Sequence, residues 1–200
     1  MKWLKKLFLM VFREKKNKAV FLDRDGTINQ SVPYLNNYAD FVFFNGVRSS
    51  IRNLNESGFK VILITNQSGI GRGFFGKSDL HLIHSAMNKD LELVGAKIDE
   101  IYYCPCHPSG NCPNRKPSPG MLKSAISKYS IDIEASFMVG DRLIDVEAGI
   151  RADLRTILVM TGYGKDESYL LDKSKFTPDF LASDLNIAVK FILENYDIKD

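Results

Sequence analysis

The chain has 200 residues, of which 44% are hydrophobic and 26% charged, and its formal net charge is +3. This composition is ordinary for a globular protein, and the length is sufficient to bury a sizeable core. The sequence contains no internal repeat and no low-complexity segment, which excludes repeat proteins and low-complexity chains.

The amino-terminal segment 1–17 carries the basic excess of the whole chain, with six basic residues and one acidic residue. Its apolar residues recur at helical spacing, which predicts a basic amphipathic helix able to lie on an anionic membrane surface. Two alternatives stay open: a helix that packs on the domain or on a dimer partner, and a disordered arm. The apolar run is far shorter than the roughly 20 residues that span a bilayer, and it lacks a signal-peptide cleavage site. We therefore divide the chain into a basic arm, 1–17, and a domain, 18–200.

Beyond the arm, short apolar runs alternate with amphipathic stretches. The runs predict strands near residues 18–23, 60–65, 136–140 and 155–160, and the stretches predict helices near 46–57, 78–94, 119–130 and 143–152. A last helix is expected near 184–195. This alternation predicts an α/β fold with a doubly wound parallel sheet.

The first run ends in Asp23-Arg24-Asp25-Gly26-Thr27. Side chains alternate along a strand, so Asp23 and Asp25 can point the same way, while Gly26 permits a tight turn. A divalent cation would relieve the repulsion between the two carboxylates. Asp23 could then attack phosphorus, and Asp25 could transfer the proton of the leaving oxygen. The simpler alternative is an acidic turn that caps a strand.

The second run ends in Thr65-Asn66-Gln67-Ser68-Gly69. Ligands of open parallel sheets bind at the carboxyl ends of strands, so these hydroxyl and amide groups are expected in the same site as Asp23. Residues of these types are also common in turns and helix caps.

Two further motifs add a cation and a third carboxylate. Arg115-Lys116-Pro117 places positive charge in a loop, and such charge suits a phosphoryl group. A third apolar run ends in Gly140-Asp141-Arg142, and Asp141 could complete a Mg²⁺ shell. Asp145 could support that shell or simply cap the following helix.

These four motifs, DRDGT, ITNQSG, RKP and GDRLID, resemble those of the haloacid dehalogenase superfamily of phosphatases, over residues 18 to 165. The resemblance implies a Rossmann-like haloacid dehalogenase fold without a large cap domain. It assigns Asp23 as nucleophile, Asp25 as general acid and base, and Thr65 and Lys116 as ligands of the phosphoryl group. Mg²⁺ would be bound by Asp23, by the main chain of Asp25, and by Asp141.

The wording around the motifs, such as FLDRDGTIN and TNQSGIGRG, is similar to that of heptose bisphosphate phosphatases and of the related histidinol-phosphate phosphatases. A small phosphorylated sugar is the implied substrate, in the synthesis of lipopolysaccharide or a related glycan. Histidinol phosphate is the alternative substrate, and a non-catalytic, tethered member of the fold is the alternative role. The residues implied to bind substrate are Ser31, Val32, Pro33, Tyr34, Asn66, Gln67, Ser68, Arg115 and Arg142. Related sequences commonly have Lys where Arg142 stands.

All three cysteines, Cys104, Cys106 and Cys112, lie within nine residues. An odd number of clustered thiols is a poor disulfide framework and favours metal, and a cytoplasmic chain would keep thiols reduced. The related phosphatases bind a structural zinc in this segment, so Zn²⁺ is implied here as well. Asn114 stands where the relatives have their last Cys, so His107 or water would complete the site.

Few other partners are expected. The domain after residue 17 carries a small net negative charge, which argues against nucleic acid binding. His81 and His84 lie on a predicted helix away from the motifs and are interpreted as surface or packing residues. We expect a cytoplasmic protein that is a monomer or a small homo-oligomer.

Overall fold

A computed structural model describes residues 16–196. The proposed membrane-binding helix therefore lies almost wholly outside the described residues. Asn17, the last residue of the predicted arm, forms a β-bridge with Ile131. None of the described helices is long and apolar enough to cross a membrane.

The core of the domain is a six-stranded sheet in which every neighbouring pair is parallel. The strands are β1 (Ala19–Leu22), β2 (Lys60–Asn66), β3 (Glu100–Cys104), β4 (Phe137–Gly140), β5 (Arg155–Val159) and β6 (Phe180–Ala182). Their order across the sheet is β3-β2-β1-β4-β5-β6. Strands β2 and β3 are added on one side of β1, and β4, β5 and β6 are then added on the other side. The predicted doubly wound parallel sheet is therefore confirmed.

Seven α-helices connect or flank the described strands. They are α1 (Val47–Glu56), α2 (Ser68–Gly71), α3 (Lys77–Glu92), α4 (Gly120–Tyr129), α5 (Leu143–Ile150), α6 (Gly164–Ser168) and α7 (Leu185–Tyr196). Two 3₁₀ turns, Tyr38–Asp40 and Leu171–Lys173, lie in the loops. No segment between residues 16 and 196 is long enough to form a large cap domain, which agrees with the prediction.

The helices cover both faces of the sheet because strand side chains alternate. Val20 and Leu22 belong to one buried cluster together with residues of α1, α3 and α7. Ala19 and Phe21 belong to a second cluster, together with residues of α4 and α5. All four β1 residues are fully buried, so this strand is fixed from both sides. It therefore presents the residues that follow it, Asp23 onward, in a well-defined position.

The predicted strands near 18–23, 60–65, 136–140 and 155–160 are present as β1, β2, β4 and β5. The five long predicted helices are present as α1, α3, α4, α5 and α7. Strands β3 and β6, at the two edges of the sheet, were not predicted.

Candidate active site

The carboxyl ends of β1, β2 and β4 meet at one edge of the sheet and border a cleft of about 340 Å³. The structure brings every predicted catalytic and substrate-binding residue to this cleft. These are Asp23, Asp25, Ser31, Val32, Pro33, Tyr34, Thr65, Asn66, Gln67, Ser68, Arg115, Lys116 and Arg142. The cleft is also lined by five residues that were not predicted, namely Leu35, Gly69, Phe75, Ile144 and Tyr163.

Lys116 is the buried cation at the centre of the site. Its Nζ donates to Asp23 Oδ1 at 2.7 Å and to the carbonyl of Ile64 at 2.7 Å, and lies 2.6 Å from Asp145 Oδ1. Burial alone would lower the pKa of Lys116, but the Asp145 and Asp23 carboxylates outweigh burial and raise it. Lys116 is therefore a fixed positive charge directly beside Asp23.

Three buried carboxylates, Asp23, Asp141 and Asp145, each place one oxygen within 4.8 Å of the others. Burial, opposed by Lys116, raises the pKa of Asp23 to about 7. Burial and the charges of Asp23 and Asp145 raise the pKa of Asp141 to about 8. One lysine thus does not neutralise three carboxylates in this cavity, and a further cation would favour their ionised forms.

The carboxylate of Asp141 differs from that of Asp145 in its partners. Asp145 is engaged by Lys116 and by the backbone N–H of Arg142, which donates to Oδ2 at 3.1 Å. Asp141 Oδ2 accepts from the backbone N–H of Tyr163 at 2.8 Å, whereas Oδ1 is buried without a hydrogen-bond partner among the described residues. An orphaned carboxylate oxygen of this kind fits a metal ligand.

Gly26 allows the turn after β1 to approach Asp141. Its φ is +92°, and a Cβ at this position would collide with the Asp141 carboxylate. Thr161 Oγ1 donates to the carbonyl of Gly26 at 2.6 Å and ties the turn to the loop after β5. Any larger residue would therefore be strained in its backbone and would also displace Asp141.

Asp25 lies in a dense network of donors. Its carboxylate accepts from Gln67 Nε2 at 3.0 Å, from Asn29 Nδ2 at 3.1 Å, and from the guanidinium of Arg24 at 2.8 to 3.1 Å. Gln67 Nε2 also donates to Thr65 Oγ1 at 2.9 Å. Gln67 thereby joins the ends of β1 and β2.

Asn66 connects β2 to the loop that carries Lys116. Its Nδ2 donates to the Lys116 carbonyl at 3.0 Å, and its Oδ1 accepts from the Lys116 N–H at 3.1 Å. Both the nitrogen and the oxygen of the Asn66 side chain thus bond to the Lys116 backbone, although the residue borders the cleft. The motif around Asn66 predicted that this residue lies in the site, but it did not predict the contact with Lys116.

Arg115 and Arg142 provide positive charge on the walls of the cleft. Burial, together with the charges of Arg72 and Arg142, lowers the pKa of Arg115. Arg142 Nε donates to Glu167 Oε1 at 3.2 Å, and its guanidinium lies 5.1 Å from the Tyr163 ring centroid. Arg142 is thus partly paired with Glu167, and both arginines border the cleft, where an anionic ligand can reach them.

The cysteine segment follows β3. The structure joins Cys106 and Cys112 by a disulfide, so the expectation of a poor disulfide framework with three free thiols is wrong for this pair. Cys104 is free and buried, with Sγ 3.5 Å from Cys112 Sγ, and the three sulfurs lie within 4.8 Å of one another. His107 is not in this cluster, because its Nδ1 pairs with Ser109 Oγ at 2.7 Å.

Sequence reasoning missed the contact between Arg24 and His84. His84 is buried, and its Nε2 lies 3.3 Å from Arg24 NH1, so it is next to the DRDGT motif rather than remote from it. The two residues are 60 positions apart. Only the apolar residues around His84 on α3 could have signalled that this face of the helix is buried.

Comparisons with known proteins agree with this fold. Residues 113–188 match the model of the HAD-hydrolase-like family. Together with the relatives described next, this match shows that the chain is a phosphoric monoester hydrolase of the haloacid dehalogenase type.

Individual relatives narrow the class. The chain is 40% identical to the D-glycero-D-manno-heptose-1,7-bisphosphate 7-phosphatase of Chlorobaculum tepidum, over 86% of this chain and 92% of the relative. It is 43% identical to the D-glycero-beta-D-manno-heptose-1,7-bisphosphate 7-phosphatase of Escherichia coli K12, over 74% and 82% respectively. The chain therefore belongs to the D-glycero-D-manno-heptose-1,7-bisphosphate 7-phosphatase family.

A solved structure is similar along nearly the whole domain. The D,D-heptose 1,7-bisphosphate phosphatase of B. bronchiseptica, complexed with magnesium and phosphate, superposes with a TM-score of 0.83 at 32% identity. The match covers 89% of this chain and 99% of that one.

Proposed function

We propose that this phosphatase removes the C7 phosphate of D-glycero-D-manno-heptose 1,7-bisphosphate, in the synthesis of a nucleotide-heptose or a related glycan precursor. The names of the relatives support the substrate. The single observation that carries the chemistry is Asp23, a buried carboxylate at the carboxyl end of β1 that is bound to Lys116 and opens onto the cleft.

In the first half-reaction, a carboxylate oxygen of Asp23 attacks phosphorus and forms an aspartyl phosphate. The bond between phosphorus and the C7 oxygen breaks, and its electron pair goes to that oxygen. Asp25 gives the oxygen a proton, so the sugar leaves as an alcohol. Lys116 and Thr65 bind the transferring phosphoryl oxygens and offset their negative charge.

In the second half-reaction, water attacks the same phosphorus. Asp25, now ionised, takes the proton of that water, and the bond between phosphorus and Asp23 breaks. Inorganic phosphate leaves, and both aspartates return to their starting states. Asp25 thus acts first as acid and then as base, which requires its carboxyl group to stay within reach of both oxygens.

The residues present fit a Mg²⁺ ion. Asp141 Oδ1 is buried without a partner among the described residues, and Asp23 and Asp141 both have raised pKa values in the absence of a cation. Asp23, the main-chain carbonyl of Asp25, and Asp141 would bind the ion. When bound, Mg²⁺ supplies positive charge that offsets the carboxylates and the phosphoryl oxygens.

The walls of the cleft suit a sugar that carries a second phosphate. Arg115 and Arg142 could pair with that phosphate, while the segment 31–34 and Ser68 contact the sugar. An arginine grips a phosphate with two parallel donors, so Arg142 should bind at least as well as the lysine common in related sequences.

We propose further that the cysteine segment binds a structural zinc in the reducing cytoplasm. Reduction of the disulfide between Cys106 and Cys112 would free three sulfurs that already lie within 4.8 Å of one another. With His107 turned to Ser109, water would be the fourth ligand. Metal analysis of protein purified under reducing conditions should find about one zinc per chain, and Cys112→Ser should remove it. An intact disulfide with no zinc would contradict this assignment.

The reaction itself is tested by following the substrate with ³¹P NMR. The proposed function predicts that the C7 phosphate signal is replaced by inorganic phosphate while the C1 phosphate signal is retained. Loss of the C1 phosphate first, or turnover that persists in EDTA, would contradict it.

A further inference from the structure

Arg24 is a fully buried cation that the proposed reaction does not use. Its NH2 donates to Asp25 Oδ1 at 2.9 Å and to Oδ2 at 2.8 Å, and its Nε donates to Oδ1 at 3.1 Å. The guanidinium therefore contacts both oxygens of the Asp25 carboxylate. A planar fork of this kind fixes the orientation of a carboxylate as well as its position.

His84, on α3, contacts the other side of the guanidinium. Its Nε2 lies 3.3 Å from Arg24 NH1. A guanidinium has donors but no acceptor, so Nε2 must accept and the ring proton must reside on Nδ1. Burial, followed by the charge of Arg24, lowers the pKa of His84 to about 3, against the opposing effect of Asp25. His84 is therefore neutral near pH 7.

The remaining groups near His84 do not compete for Arg24. His81, on the same helix, also lowers the pKa of His84, but its own Nε2 lies 3.2 Å from the Tyr103 hydroxyl. The Tyr103 ring lies edge-on to His84, with the ring centroids 6.4 Å apart. The polar contacts thus form one line, from His84 through Arg24 to Asp25.

We propose that Arg24 and His84 are positioning residues, which hold the Asp25 carboxyl group in place for proton transfer to and from the substrate oxygens. This inference rests on the phosphatase function proposed above. The Arg24 side chain is buried and that of Asp25 is 28% exposed, so their ion pair contributes little net stability, because the cost of removing charge from water offsets the attraction. The value of this pair lies in orientation, since a misplacement of a reacting group by about 1 Å can cost about a hundredfold in rate.

A positioning role predicts a dependence on the leaving group. The sugar oxygen is a poor leaving group and needs the proton of Asp25, whereas p-nitrophenolate leaves without one near neutral pH. The ratio kcat/KM reports the steps up to the first irreversible one, which here include departure of the leaving group. Disturbing Asp25 should thus reduce kcat/KM for the sugar phosphate selectively.

The experiment compares His84→Leu, His84→Gln and His81→Leu with the unmodified enzyme. Each is assayed with Mg²⁺ on p-nitrophenyl phosphate and on whichever anomer of D-glycero-D-manno-heptose 1,7-bisphosphate the unmodified enzyme turns over faster. Leu removes the acceptor for Arg24, and Gln restores an acceptor through its side-chain oxygen. His81→Leu is the matched control, because it removes a histidine of the same helix that contacts Tyr103 but not Arg24.

We expect His84→Leu to lower kcat/KM about tenfold or more for the heptose bisphosphate and no more than about threefold for p-nitrophenyl phosphate. His84→Gln should recover most of the loss, and His81→Leu should show none. Equal losses on both substrates, or no loss on either, would show that His84 only packs.

If His84→Leu fails to fold, Arg24→Lys replaces it. Lysine keeps the positive charge but lacks the planar pair of donors, so the same selective loss is expected. Absence of turnover of both substrates by the unmodified enzyme would instead contradict the phosphatase function.

Discussion

Asp23 and Lys116 form the ion pair at the centre of the site, with Lys116 Nζ 2.7 Å from Asp23 Oδ1. We predict that Asp23→Asn keeps the fold, since the side chain is nearly isosteric and its oxygen can still accept from Lys116. Turnover should fall by several orders of magnitude, because an amide cannot form the covalent intermediate. The measurement is kcat under saturating substrate and Mg²⁺. Retained turnover would exclude Asp23 as nucleophile.

Asp141 provides a prediction about stability. The pKa values of Asp23 and Asp141, about 7 and about 8, lie above the ordinary value of 3.8, so the folded metal-free protein binds more protons than the unfolded chain between these limits. The contribution of these two groups to the free energy of unfolding is therefore fully present at the acidic end of this pH range and is lost as pH rises through it. Thermal unfolding in EDTA should show a lower Tm at pH 8 than at pH 6, and Mg²⁺ should reduce the difference.

Replacement of Asp141 tests the same charges directly. Asp141→Asn removes one carboxylate from the cluster, so in EDTA at pH 8 it should raise the Tm while abolishing turnover and the stabilisation by Mg²⁺. Asp172→Asn, at an exposed position, is the control and should change none of these. A lower Tm for Asp141→Asn in EDTA would show that the carboxylates are not mutually destabilising.

At the scale of single residues, the sequence predicted the location of those site residues that lie at the ends of strands or directly follow them. Asp23, Thr65 and Asp141 could be placed together because parallel strands end at one edge of a sheet. The contacts of Asn66 and His84 could not, because each depends on a tertiary contact with a residue 50 or 60 positions away. An amide or imidazole at such positions has no local pattern that names its partner.

At the scale of elements, Asn66 links the end of β2 to the loop that presents Lys116. We predict that Asn66→Ala lowers kcat/KM about tenfold, because the loop loses both amide contacts and Lys116 is held less firmly. Asn53→Ala, at an exposed position of α1 outside the cleft, is the matched control and should have little effect. Both variants are compared by steady-state kinetics. Equal effects would show that Asn66 does not fix the loop.

The two missed strands have a physical explanation. Strand β3, Glu100–Cys104, is only partly buried along most of its length and contains two tyrosines and a glutamate, so it lacks an apolar run. Strand β6, Phe180–Ala182, has three residues and adds to the opposite edge. Edge strands need less apolar surface than central ones, so pairing with β2 and β5 determines them more than their own sequences do.

At the scale of the whole molecule, the amino-terminal arm, residues 1–17, precedes β1 and all of the predicted catalytic residues in the sequence. Deleting residues 1–15 leaves the bridge between Asn17 and Ile131 intact, so phosphatase activity in solution should be nearly unchanged. If the arm binds membranes, the full chain should sediment with anionic vesicles and the truncated chain should not. Added salt should weaken this binding, because exposed charges are screened over about 10 Å at 0.1 M ionic strength. Failure of the full chain to sediment would exclude membrane contact.

The central claim about the whole enzyme is its specificity for a heptose bisphosphate. The most direct measurement is kcat/KM for a panel that contains both anomers of D-glycero-D-manno-heptose 1,7-bisphosphate, histidinol phosphate and fructose 1,6-bisphosphate. We predict that one heptose bisphosphate anomer exceeds histidinol phosphate by about a hundredfold or more, because only a bisphosphate can pair with the arginines of the cleft while its other phosphate reaches Asp23. A higher kcat/KM for histidinol phosphate, or no turnover of either heptose anomer, would contradict the proposed function.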